Sequence, residues 1–209
     1  MRTMTTFALI FSNACLFFVG QVTAQSLMPP PVTGNWRIGQ GPPCPNPSNH
    51  HCNTPNQLFA YDLIPIDLGG RMINCIGAPI RSPVNGSVIE VLDGIPNGVH
   101  GAHPAGNHIV IQAAPSRYLL LAHFSPGTIS VAQGATVSAG QVVGACGNTG
   151  QSSAPHLHIH MQQQPNPLIL GSPGVPIVFQ QINIWSPPMG CVLRTNYTPV
   201  AGDIICQQP

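Results

Sequence analysis

The chain is 209 residues long and 43% hydrophobic, yet only 5% of its residues are charged and its formal net charge is +1. Such a balance excludes a basic nucleic-acid surface and a polybasic membrane contact. The length suits one domain with a real core.

In chain order, residues 1–24 read as a secretory signal. Arg2 gives the positive start, Phe7 to Val22 is largely apolar, and Val22-Thr23-Ala24 is a small-residue cleavage site. The apolar run, broken at Ser12-Asn13, is too short for a membrane-spanning helix, so no stable membrane insertion is expected. A secreted or periplasmic product follows. After that segment six cysteines remain, an even set that suggests disulfides. Cys44 with Cys52 and Cys191 with Cys206 are the natural local pairs, and Cys75 with Cys146 follows by elimination.

Residues 25–57 are rich in Pro, Gly and Asn and read as an irregular arm. From Leu58 onward short β-type runs recur between turn signals: Phe59–Ile66, Gly86–Leu92, Asn107–Gln112, Tyr118–His123, Thr136–Val137, Gln141–Ala145 and Pro155–Met161. Gly94 to Gly106 reads as a loop over one face. Val175–Phe179 is a further run, made peripheral by its proline. Residues 58–185 would thus form the domain, and 186–209 a second, disulfide-tied arm. No segment keeps a 3.6-residue apolar stripe over three turns. The expectation is an all-β, mostly antiparallel two-layer sandwich or open groove.

The densest chemistry lies in His156-Leu157-His158-Ile159-His160, continued by Met161. Strict alternation predicts a half-buried strand with three imidazoles on one face and Leu157, Ile159 and Met161 in the core. Imidazoles two residues apart on a strand stand roughly 6.5–7 Å apart. One can bind a metal while its neighbour reaches a water there, which suits a hydrolytic site better than a closed structural one. No CxxC pair points to a thiolate site, and no nucleophile elbow to a serine hydrolase.

Linked motifs extend this reading. Tyr118-Leu119-Leu120-Leu121-Ala122-His123, Gly134 to Gly144, Gly147-Asn148-Thr149-Gly150 and Pro155-His156-Leu157-His158 stand in an order that resembles the LytM/lysostaphin-type zinc peptidases of the M23 family. Ala78-Pro79-Ile80 and Val84 to Val88 look like the same family's early hairpin. The resemblance covers about Phe59 to Met161 and implies the LytM-like (duplicated hybrid motif) fold. It further implies a Zn2+ cofactor and hydrolysis of peptide cross-links in bacterial peptidoglycan.

Residue by residue, the resemblance makes His158 and Asp62 metal ligands, and His123 and His156 the two non-ligand histidines at the reaction centre. Those two share general-base and oxyanion or water-binding duties, in either assignment. Where the family places a histidine four residues before the aspartate, this chain has Leu58. The run Gln57-Leu58-Phe59-Ala60-Tyr61-Asp62 resembles a variant in which an earlier histidine reaches the metal; His51 is the choice and His50 the alternative. His160 reads as groove wall or outer shell, His100 and His103 as solvated loop residues, and His108 as a strand end. Tyr61 and Asn148 are candidates for lining the groove.

Leu58 also motivates a second function, a catalytically inert LytM-like module that regulates other cell-wall hydrolases. Pro83 to Val88 and Val137 to Gln141 resemble the paired turns of lipoyl carriers, but those need an attachment lysine and this chain has none. The expected partner is a peptidoglycan peptide, with no nucleic acid, and the expected state is a monomer.

Overall fold

Branched and aromatic residues at every second position, cut by Gly and Pro turns, become strands whose alternate side chains meet in one core. The computed structural model describes residues 25–27, 29–43, 50–166 and 173–206. Its strands in chain order are β1 (Gln25–Leu27), β2 (Trp36–Gln40), β3 (Tyr61–Pro65), β4 (Pro79–Arg81), β5 (Gly86–Leu92), β6 (His108–Ala114) and β7 (Arg117–Ala122). There follow β8 (Thr136–Val137), β9 (Val142–Ala145), β10 (Leu157–Gln162), β11 (Gly174–Val175), β12 (Ile177–Ser186), β13 (Gly190–Tyr197) and β14 (Ile204–Ile205). Two single 3-10 turns, His50–Asn53 and Pro55–Gln57, precede β3. No helix among the described residues is long and apolar enough to cross a membrane.

Twelve strands form one sheet in the order β1-β12-β14-β2-β3-β10-β7-β6-β5-β8, with β11 beside β10 and β13 beside β12. A separate pair, β4 and β9, packs onto the same core through Ile80 and Val143. The chain is all-β and mostly antiparallel; β1 on β12 is the one parallel pairing among the described residues. One sheet face buries Ile109, Ile111, Leu119, Leu121, Leu157, Ile159 and Met161. The opposite face carries Val110, Leu120 and Ala122 as a smaller apolar floor.

The register of the central strands decides the chemistry. On β10, His158 stands opposite Asp62 of β3 on one side and Ala122 of β7 on the other. His160 is opposite Leu120. Because side chains alternate, the small apolar floor and the polar cluster share one face.

Three expectations need correction. The strand β10 is buried on both faces along all six residues, not half-buried, and the turn Pro55–Gln57 packs beside it. The flanks hold more regular structure than their composition implies. Trp36, Ile38 and Ile205 are buried there, and buried backbone groups need ladder partners, so β2, β13 and β14 extend the sheet. Tyr61 does not line a groove; it is a fully buried core ring against Phe179, and burial raises its phenol pKa far above the usual value.

Disulfides join Cys75 to Cys146 and Cys191 to Cys206. The expected Cys44–Cys52 pair and the signal segment 1–24 lie outside the described residues.

Leu121 is completely buried and paired with Ile109 and Ile159. Leu121→Ala is expected to lower unfolding free energy by about 2–5 kcal/mol, read as a lower urea midpoint with an unchanged slope.

Candidate metal centre

Asp62 and His158 are 96 residues apart in sequence, yet the β3–β10 ladder sets them side by side, with His158 Nδ1 3.0 Å from Asp62 Oδ1. The first 3-10 turn brings His51 over the same carboxylate, its Nε2 3.4 Å from Oδ1. His156 precedes β10 in an isolated bridge with Gly147, and its Nε2 is also 3.4 Å from Oδ1. His51, Asp62 and His158 are all buried, and their donor atoms lie within 4.8 Å of one another. Two imidazole nitrogens and one carboxylate oxygen are a donor set that zinc takes readily, with a fourth position left for water. Leu58 turns outward at 38% exposure and takes no part. The side chain of His50 lies outside the described residues.

His123 follows the last residue of β7 and closes the opposite wall, its ring 4.7 Å from that of His156 and 5.9 Å from that of His158. Its backbone is left-handed, with φ at 68°, a conformation that costs an L-residue about 1–2 kcal/mol. Two bonds hold it there. The backbone N–H donates to Ala105 O, and the ring Nδ1–H donates to Thr149 O at 2.7 Å. His156 is held in the same sense, Nδ1–H donating to Ala154 O at 2.8 Å with Ser152 Oγ 3.1 Å away. Both rings therefore keep Nε2 as an acceptor.

Burial and the nearby His156 and His158 push His123 down to about 3. Burial likewise brings His158 to about 3 despite Asp62, and His160 to about 4. These rings are neutral near pH 7, the form that ligates or accepts a hydrogen bond. For Asp62, burial alone would raise the pKa, but the imidazoles of His156, His158 and His51 gathered around it hold it well below the ordinary carboxylate range.

The cluster forms the floor of an open groove of about 1200 Å³, edged by Gln57, Ile73, Asn74, His100 and Gln151. Asp62 is the only acidic residue lining it, and no arginine does so among the described residues. The remaining histidines are distributed as follows. His100, exposed in its loop as expected, lies at the groove edge with Nδ1 bonded to Gly150 O. His103 stacks on buried His108, which bonds Glu90 and Gly106 O away from the groove. Asn148 braces Ser152 and does not line the groove.

Three participants lie outside the motifs. Thr149 acts through its backbone carbonyl, which says nothing in a side-chain pattern. Ser152 sits in a turn beside His156. Gln162 continues the alternation of His158 and His160 on the same face, a signal that was available two residues beyond the histidines.

Residues 68–169 match the family model of peptidase family M23. Among curated proteins, the peptidoglycan DD-endopeptidase ShyA of Vibrio cholerae is 32% identical over 103 residues, covering 49% of this chain and 21% of that protein. The match thus spans about a fifth of that relative's length. Among solved structures, a variant catalytic domain of the prophage-encoded M23 protein EnpA from Enterococcus faecalis aligns with 71% of this chain and 93% of its own, at 19% identity and TM-score 0.48. A zinc-containing peptidase from Vibrio cholerae aligns with 73% of this chain and 41% of its own, at 23% identity and TM-score 0.43.

The Thr149 carbonyl that holds His123 rests against Gly106, where φ is +59° and a Cβ would fall 2.3 Å from Thr149 O. Gly106→Ala is therefore expected to cost roughly 1–3 kcal/mol of stability. It should also release the Nδ1 proton of His123, read by NMR as faster solvent exchange than in the parent.

Proposed function

Residues 68–169 match the model of peptidase family M23, and from that premise we propose that the chain is an exported zinc metalloendopeptidase acting on the peptide cross-links of bacterial peptidoglycan. The observation that carries this reading is the convergence of His51, Asp62 and His158 beneath a groove whose walls present His123 and His156. Two of the three donors, His51 and Asp62, precede the matched segment, so the arm of residues 25–57 belongs to the working unit with 58–185. Export is supported by the N-terminal sequence and by the disulfides, which persist in oxidising compartments.

His51, Asp62 and His158 would hold the ion. When bound, zinc supplies a water acidified towards a pKa of about 7 and a Lewis acid for the scissile carbonyl. The protein's own residues do the rest. His156 is the most accessible imidazole of the five in the cluster, and its Nδ1–H is anchored on Ala154 O. It presents Nε2 to the groove and takes the proton of the attacking water, then returns it to the departing amine nitrogen. His123, anchored on Thr149 O, orients the water through its Nε2 acceptor. The groove floor of Leu120 and the apolar rim at Ile73 limit water around the reacting bond. A ShyA-like substrate, peptidoglycan, fits an open groove whose lining carries no charged residue but Asp62 and which a peptide can enter.

The inert-module alternative rested on Leu58. His51 at 3.4 Å from Asp62 supplies the donor that Leu58 lacks, which supports the enzyme reading over it.

The mature protein should bind one zinc per chain and clear peptidoglycan suspensions. Asp62→Ala and His158→Ala should lose both properties. His156→Ala should keep stoichiometric zinc while kcat falls about 10²–10⁴-fold. Metal analysis and turbidity assays on the same samples check all three, and a His158→Ala variant with full activity would refute the assignment.

A further inference from the structure

Beyond the metal donors and the two groove histidines, a line of buried side chains runs away from the site along β10. His158 Nε2 is 2.8 Å from His160 Nδ1, and His160 Nε2 is 3.0 Å from Gln162 Oε1. All three are buried, with His160 at 1% exposure and Gln162 at 0%. The far end fixes the direction of the whole line. The Gln162 amide nitrogen donates to two backbone carbonyls, Gln164 O at 2.7 Å and Asn166 O at 2.9 Å, so its oxygen must face His160 and accept.

The consequence passes back one ring at a time. Because Gln162 Oε1 only accepts, His160 carries its proton on Nε2 and has a lone pair on Nδ1. Because His160 Nδ1 only accepts, His158 carries its proton on Nε2. That leaves the lone pair of His158 on Nδ1, the atom that lies 3.0 Å from Asp62 Oδ1. Two acceptors then face each other in a buried site, an arrangement that repels on its own and is relieved by a cation. The opposite polarity would set a lone pair of His160 against the lone pairs of Gln162.

We infer that Gln162 and His160 are positioning residues that lock His158 in its Nε2–H tautomer, so that Nδ1 is ready for a metal ion before one arrives. The inference rests on His158 being a ligand, as proposed above. Neither residue reaches the metal donors' lone pairs; His160 borders the groove at 1% exposure, Gln162 does not line it, and each acts through the next ring. Removing such an outer hydrogen bond commonly weakens metal affinity by 10–100-fold.

The test uses the full mature chain, uniformly 15N-labelled and freed of metal with a chelator. Long-range 1H–15N spectra should show His158 protonated on Nε2 and bare on Nδ1. Zinc titrations in a competing chelator should then show affinity falling about 10–100-fold in His160→Met and in Gln162→Met. His160→Gln can present an acceptor to His158 and a donor to Gln162, and should recover affinity to within about threefold of the parent. Thermal unfolding of the metal-free variants identifies any that fail to fold, and the tautomer measurement on the parent decides the matter without them. A His158 proton on Nδ1 in the parent, or parental zinc affinity in folded His160→Met, would overturn the inference. A parent that binds no zinc would instead overturn the metal reading, and the tautomer spectrum would still judge the hydrogen-bond line by itself.

Discussion

The pairing of β3 with β10 in a register that sets Asp62 against His158 is the constraint on which this molecule turns. A slip of β10 by one residue would send His158 to the opposite face, into the packing of Leu121, and would bring apolar residues such as Ile159 to the groove. The large core on that far face opposes the slip, since Leu157, Ile159 and Met161 are completely enclosed there. Hydrophobic burial on one side of the sheet therefore holds the polar geometry on the other. The link is mechanical: the core does not touch the site, but it fixes the strand offset that creates it.

Holding a carboxylate and several imidazoles out of water is unfavourable unless their hydrogen-bonding groups are matched. The chain meets this with short, mostly backbone partners: Thr149 O for His123, Ala154 O for His156, and Gln162 for His160. These partners leave one face of the cluster rich in lone pairs around Asp62. A neutral groove with a concentrated acceptor site at its floor suits a small dication together with an uncharged stretch of peptide. The closeness of Gly106 and Gly150 to Thr149 and its neighbours shows how tightly the supporting loop is built.

Much of this could be read from residues alone, and the limits have physical causes. The strands Gly86–Leu92 and Thr136–Val137 stand where alternation and turn residues put them, because burial on one face writes a period of two into the sequence. The outer strand β13 was missed because Gly190 to Tyr197 lies against β12 with mostly exposed or half-exposed side chains and leaves no apolar period. The histidines near Asp62 could be named from the ordered motifs. The burial of β10 on both faces could not, since the turn beside it belongs to an arm whose Pro and Asn content looks irregular. Choosing His51 over its neighbour depended on a turn geometry that no periodicity encodes. Thr149 escaped because its backbone carbonyl makes the contact.

The central claim is that three segments distant in sequence converge on one ion. Anomalous diffraction at the zinc edge, from crystals of the mature chain grown with one equivalent of the metal, tests it most directly. The account predicts a single strong peak bounded by Asp62, His158 Nδ1 and His51, with His123 and His156 facing it and unligated. A peak elsewhere on the chain, or one at this place with Asp62 turned away, would contradict it.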